Sequence, residues 1–83
     1  QTNRVGGFKS IEVSDEIIAL STFVLSEKNI TSSVKEITNC ATQVVSGRNY
    51  RFDILLENNE SWSTQVYIDL QKNKTITRFE LLK

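Results

Sequence analysis

The side chains that carry most enzyme chemistry are scarce in this sequence. Its 83 residues include no histidine and a single cysteine, Cys40. Nucleophilic systems of the Ser-His-Asp and Cys-His types need an imidazole to take up a proton, so the composition excludes them. A zinc site is disfavoured for the same reason, because imidazole and thiolate are its usual ligands. We therefore predict a chain without a metal or a cofactor.

Pairs of carboxylates are the remaining candidates for catalysis. Asp15 and Glu16 stand where the first turn of a helix is expected, and negative charge there complements the helix dipole. Glu57 and Glu60 lie in an Asn-rich segment that is typical of a solvated turn. Neither pair has the setting of two catalytic carboxylates, so we predict that the chain is not an enzyme.

Size and charge limit the other classes of function. A chain of 83 residues makes one domain, near the lower size at which a core suffices without disulfides. Ten basic residues balance ten acidic ones, which favours neither a nucleic acid nor a membrane as partner. No apolar run is long enough to span a bilayer, and the first residues show no signal-peptide pattern. Cys40 is interpreted as a small buried apolar side chain.

Three Asn-x-Ser/Thr sequences are potential acceptors for N-linked glycans. They begin at Asn29, Asn59 and Asn73. Because the chain is rich in Asn, Ser and Thr, more than one such sequence is expected by chance. They favour a secreted protein slightly, and we predict an extracellular location with a cytoplasmic one as the alternative.

The chain is organised around the stretch Gln43-Val44-Val45-Ser46-Gly47, which lies between two segments with strand character. Two adjacent β-branched residues favour extended backbone, whereas Gly47 supplies the positive φ with which a hairpin reverses. A valine pair at a hairpin tip is a small exposed apolar patch, and such patches mark partner surfaces. The alternative is that both valines fold back onto their own sheet.

The elements around this stretch follow from apolar periodicity. We predict that residues 1–7 form a flexible arm, which ends in Gly6-Gly7, and that residues 8–83 form the domain. A helix begins after the capping residue Ser14 and ends near Asn29. Its apolar stripe, with Ser21 outside it, is formed by Ile17, Ile18, Leu20, Phe23, Val24 and Leu25.

Five segments have strand character. They are residues 8–13, residues 34–43 with a phase slip that indicates a bulge, residues 49–57 with clean alternation, residues 66–71, and residues 76–82. This order predicts an α+β fold in which a five-stranded, curved antiparallel sheet wraps around one long helix. In such a meander the hairpins at residues 43–47 and 71–74 lie side by side.

These residues resemble the cystatins, inhibitors of papain-like cysteine proteases. The family signature Gln-x-Val-x-Gly is present at residues 43–47, followed by Asn49-Tyr50 and Asp53. The segment Leu20-Ser21-Thr22-Phe23-Val24-Leu25-Ser26-Glu27-Lys28-Asn29 is similar to the family's helix. Arg4-Val5-Gly6-Gly7 resembles its N-terminal arm, and Gln65-Val66-Tyr67 resembles the strand before its second loop.

The resemblance implies a reversible, tight-binding inhibitor of cathepsin-type proteases. Its three parts would fill the active-site cleft: an arm in the non-primed subsites, a hairpin over the catalytic cysteine, and a second loop on the primed side. The residues that match these parts are Arg4, Val5, Gly6, Gly7, Gln43, Val44, Val45, Ser46, Gly47, Leu70, Gln71 and Lys72. The implied state is a monomer, with a domain-swapped dimer as an alternative.

The sequence also departs from the family pattern. The second loop of cystatins carries Pro-Trp where this chain has Leu70-Gln71, and Trp62 falls too early, at the start of a strand. Both disulfides of the secreted animal branch are absent. These departures bear on the contribution of the second loop, and they leave a non-inhibitory binding module with a cystatin fold as the alternative function.

Overall fold

The computed structural model describes residues 7–82. They form a strand, a helix and four further strands, in the predicted order. The strands make one sheet with the order β1-β2-β3-β4-β5, and each neighbouring pair is antiparallel. The α+β class, with one helix and a five-stranded antiparallel sheet, is thus confirmed for the described residues. The elements are β1 (Lys9–Ser10), α1 (Asp15–Glu27), β2 (Val34–Val45), β3 (Gly47–Leu56), β4 (Ser61–Ile68) and β5 (Lys74–Leu81).

Helix α1 begins and ends as its sequence predicts. The Ser14 hydroxyl accepts a hydrogen bond of 3.4 Å from the backbone N–H of Ile17, which satisfies one of the free donors of the first turn. Asp15 and Glu16 place negative charge at the positive end of the helix dipole. Past the last helical residue, Asn29 adopts the left-handed conformation with φ 59°, which asparagine tolerates better than most residues.

The buried face of α1 is narrower than predicted. The prediction for Ile18 is wrong, because this residue is 49 % exposed on the outer face of the helix. Ser21, predicted to lie outside the stripe, is buried because its hydroxyl donates to the Ile18 carbonyl at 2.7 Å and so needs no water. The buried apolar side chains of the helix are Ile17, Leu20, Val24 and Leu25.

The central strand β3 forms the floor under the helix. Its alternation places one face against α1, and the apolar residues of that face, Tyr50, Phe52, Ile54 and Leu56, are buried in one cluster with the helix. Cys40 of β2 lies in the same cluster, which confirms its interpretation as a buried side chain. Burial, and to a lesser extent the charge of Asp53, raises the pKa of its thiol.

Strand β2 contains the predicted bulge. Its pairing with β3 shifts register between Thr38 and Ala41, and Asn39 within this shift has φ 56°. The Asn39 amide donates to an Asp53 carboxylate oxygen at 2.8 Å, which fixes the bulge against β3. Strand β1 is shorter than the predicted segment of residues 8–13. The backbone N–H of Ile11 donates to the Cys40 carbonyl at 3.0 Å, and beyond Ile11 the chain turns away from β2.

Candidate functional site

Two hairpins lie next to each other at one edge of the sheet. The first is the apex, residues 43–47, where β2 passes into β3; the second is the β4–β5 turn, residues 69–73. Arg48 pairs with Ile68, so the start of β3 runs beside the end of β4. The predicted side-by-side arrangement of the two hairpins is therefore confirmed, and we call this region the apex edge.

The apex is a tight reversal. Val44 pairs with Arg48 and Val45 pairs with Gly47, so Ser46 alone lies between the paired residues. Gly47 has φ +107°, a conformation that side chains with a Cβ rarely adopt. A Cβ at this position would lie 2.4 Å from the Ile68 carbonyl oxygen of the neighbouring strand. Glycine is thus required twice, by its own backbone angle and by the close approach of β4.

Hydrogen bonds hold the apex in place. The Tyr67 hydroxyl of β4 donates to the Ser46 carbonyl at the tip. Across the hairpin, the Asn49 amide donates to the Gln43 side-chain oxygen at 2.9 Å, and the Thr42 hydroxyl donates to the Asn49 carbonyl at the same distance. The role of Tyr67 is not predicted from the sequence. The only available signal was an aromatic residue on the polar face of an alternating strand.

Apolar side chains are exposed on both hairpins of the apex edge. Val44 is 62 % exposed and so does not fold back under the helix, while Val45 is half-buried. Leu70, in the adjacent turn, is even more exposed, at 71 %. Gln71 and Lys72 beside it are exposed as well. The apex edge therefore has two separate apolar side chains exposed to solvent, one on each of the neighbouring hairpins.

One carboxylate accepts three hydrogen bonds within the β4–β5 turn. One oxygen of Asp69 accepts from the backbone N–H groups of Gln71 and Asn73, each at 2.9 Å. The other accepts from the Asn73 side-chain amide at 3.2 Å. The bond from the Asn73 backbone is the largest cause that lowers the pKa of Asp69, because it favours the charged form. Lys72 completes the turn with φ 73°.

A groove of about 420 Å³ opens between the helix and these hairpins. Its lining combines Glu16, Arg48, Asp69 and Lys72 with the ring of Tyr50. The Tyr50 hydroxyl donates to Glu16 at 2.8 Å, and burial, followed by this bond, raises the pKa of the tyrosine. The groove holds charges of both signs. Among residues 7–82, no group of three or more His, Cys, Asp or Glu side chains is placed to hold a metal ion.

The predicted arm is described only at its last residue. Lys9 pairs with Thr42 and Ser10 with Ala41, so the N-terminal end of β1 is the end nearer the apex. Gly7 is exposed, and a Cβ there would meet nothing within 4 Å. Arg4, Val5 and Gly6 lie outside the described residues. Among the described residues, the structure thus brings together the apex and residues 70–72.

No helix in the described part of the chain combines the length and apolar character that crossing a membrane requires.

Comparison with known proteins finds no match, whether to protein-family models, to curated proteins or to solved structures. The resemblance to cystatins therefore depends on this chain's own residues and on their spacing along the sequence.

Proposed function

We propose that this chain is a reversible, tight-binding inhibitor of papain-like cysteine proteases, with the arrangement of a cystatin. One observation carries the proposal: the exposed side chains of Val44 and Leu70 lie on neighbouring hairpins at the same edge of the sheet. Exposed apolar residues on neighbouring hairpins are suited to a concave partner surface, which an active-site cleft provides.

The proposed mechanism is exclusion by shape. The apex would lie over the catalytic cysteine of the protease, and its valines would displace water without presenting a peptide carbonyl in attacking geometry. The bonds from Tyr67 and Asn49 fix the apex before binding, so little conformational entropy would be lost on association. We expect binding energy to concentrate in a few apolar contacts and to depend weakly on salt.

The neighbouring segments would extend the contact in both directions. Leu70, Gln71 and Lys72 would cover the primed side of the cleft, and the arm with Arg4, Val5 and the Gly6-Gly7 pair would occupy the non-primed subsites. We further propose an extracellular monomer, in keeping with the predicted location. A domain-swapped dimer that loses the apex is the alternative state.

A second candidate is a binding module with the same fold and no inhibitory activity. The composition of the second hairpin favours it, because Leu70-Gln71 stands where cystatins carry Pro-Trp. Gln71, at the tryptophan position, offers less apolar contact area than tryptophan, so the second hairpin would contribute less to affinity.

Titration of papain and a cathepsin with the full chain, followed with a fluorogenic peptide, distinguishes the two candidates. We expect inhibition by the parent chain and a loss of at least about 30-fold in affinity for Val44→Asp, the size of one hot-spot contact. Ile18→Asp is the matched control, since Ile18 is a β-branched residue, 49 % exposed, on the outer face of α1.

Circular dichroism should show both variants folded. Val45 is the half-buried residue next to Val44, and the Val45→Asp variant should show no inhibition. A parent chain that leaves both proteases fully active would refute the proposed inhibition and favour the binding module. Equal inhibition by Val44→Asp and Ile18→Asp would instead mean that the apex does not contact the protease.

A further inference from the structure

The three potential glycan acceptors are divided between the two ends of the sheet. Asn29 and Asn59 follow α1 and β3, whereas Asn73 belongs to the β4–β5 turn at the apex edge. Strand β3 connects the two ends with 10 residues. At about 3.3 Å per residue it separates them by about 30 Å.

The loops that carry Asn29 and Asn59 are joined to each other. Backbone N–H groups of the β3–β4 turn donate to the segment before β2: Glu57 to the Ser33 carbonyl at 2.8 Å and Asn58 to the Ser32 hydroxyl at 3.3 Å. Both acceptor asparagines are exposed and have positive φ, 59° and 72°. Bulky, hydrated glycans on them would project into water without displacing any packed group.

Asn73 has a different setting. It is exposed, but its side-chain amide donates to Asp69 at 3.2 Å and its neighbours are the residues of the β4–β5 turn. Leu70, which we assign to the binding surface, lies three residues away in the same turn. A glycan on Asn73 would therefore occupy the space that a partner of this edge needs.

We propose that Asn29 and Asn59 are N-glycan acceptors whose occupancy is compatible with binding, and that a glycan on Asn73 blocks the apex edge. The second half of this proposal rests on the proposed function. In the reaction, the asparagine amide nitrogen bonds to the anomeric carbon of a lipid-pyrophosphate-linked oligosaccharide. The bond from that carbon to the pyrophosphate breaks, the lipid pyrophosphate leaves, and the amide loses one proton.

The test uses the full chain secreted from a eukaryotic host behind a cleavable signal, with occupancy read by mass spectrometry before and after enzymatic glycan removal. Acceptors are removed by Thr31→Ala, Ser61→Ala and Thr75→Ala, since these changes keep each asparagine and its backbone conformation. Thr75→Ser preserves the acceptor sequence and is the matched control for Thr75→Ala.

We expect glycans on Asn29 and Asn59, and unchanged inhibition when Thr31→Ala and Ser61→Ala remove them. Protein with occupied Asn73 should inhibit at least about tenfold more weakly than Thr75→Ala, the effect of losing one good contact. Secreted, folded protein that carries no glycan on Asn29 or Asn59 would overturn the first half. Equal inhibition with and without a glycan on Asn73 would overturn the second.

A chemical variant tests the blocking effect whatever the occupancy of Asn73. Asn73→Cys and Asn59→Cys each introduce an exposed thiol for coupling to a polyethylene glycol maleimide, while Cys40 is buried. The polymer at position 73 should abolish inhibition and the polymer at position 59 should not; equal effects would refute the assignment. Unglycosylated chain from a bacterial host reports on inhibition alone, so a failure of the proposed function is seen separately.

Discussion

The two hairpins of the apex edge present similar exposed residues but are held in different ways. The apex depends on its neighbour: Gly47 packs against the backbone of β4, and Tyr67 of β4 donates to the Ser46 carbonyl. The β4–β5 turn is held by its own residues, because Asp69 accepts three hydrogen bonds from Gln71 and Asn73. The apex is thus positioned by contacts with the neighbouring strand, and the β4–β5 turn by hydrogen bonds within the turn itself.

This difference predicts how each hairpin responds to mutation. A change at the apex should affect stability and binding together, since the contacts that shape the tip are also contacts between strands. A change at the exposed tip of the turn should affect binding alone. Four substitutions test this distinction, beginning with the largest expected effect.

Gly47→Ala should be the most damaging substitution. An alanine Cβ would lie 2.4 Å from the Ile68 carbonyl oxygen, on a backbone with φ +107°. We expect the free energy of unfolding to fall by about 3 kcal/mol, the upper end for a strained backbone, and inhibition to be lost. Chemical denaturation measures the first effect. Gly7→Ala, where the new Cβ meets nothing within 4 Å, is the control, and equal stability of the two variants would contradict the packing at Gly47.

Leu70→Ala should weaken protease binding without destabilising the fold. Because the side chain is 71 % exposed, we expect the free energy of unfolding to change by less than about 0.5 kcal/mol. Loss of an apolar contact should raise the inhibition constant about tenfold. Leu82→Ala, at a residue 52 % exposed beyond the end of β5, should leave inhibition unchanged. Similar inhibition constants for the two variants would exclude the turn from the contact.

Tyr67→Phe removes only the hydroxyl that donates to the Ser46 carbonyl. We expect a loss of about 1 kcal/mol in unfolding free energy and dissociation from the protease that is several-fold faster, because the apex becomes less ordered. Tyr50→Phe removes a comparable bond to Glu16, away from the tip. Stopped-flow measurements should show faster dissociation for Tyr67→Phe only. The same dissociation rate for both variants would mean that the apex needs no support from β4.

Asp69→Asn should have the smallest effect, a loss of stability that is present at neutral pH and disappears in acid. The folded-state pKa of Asp69 is lowered, chiefly by the backbone bond from Asn73, so near pH 4 the unfolded chain binds more protons than the folded one. The stabilisation is therefore complete above the unfolded pKa, about 3.9, and is lost as the pH falls through the folded value. Thermal unfolding between pH 2 and 6 should show a shallower acid slope for Asp69→Asn. An unchanged slope would mean that another group dominates it.

The sequence predicts the framework of the apex edge well because that framework depends on alternation and on turn residues. The even-numbered residues of β3 from Tyr50 onward, the reversal at Gly47 and the cap at Ser14 each follow from a local rule. Their order along the chain then implies that the two hairpins lie side by side.

What the sequence does not predict depends on contacts between distant residues. The bond from Tyr67 to Ser46 spans 21 residues, and no local pattern indicates it. Ser21 is buried by tertiary packing although it is polar, and a bond to the Ile18 carbonyl satisfies its hydroxyl there. Ile18 is exposed although it is apolar, because the sheet covers only one side of α1. Such outcomes are decided by tertiary packing, which overrides a periodicity based on residue type alone.

The bulge in β2 also affects how this protein behaves at high concentration. Among the described residues, β1 pairs with only two positions of this 12-residue strand, so most of its outer side lacks a strand partner. A long, flat border of that kind would promote fibril growth by adding strands from other copies. The kink at Asn39, together with the exposed charges of Lys35 and Glu36, interrupts the border. We therefore expect the bulge, which shifts the register between β2 and β3, to hinder the addition of strands from other copies along this border.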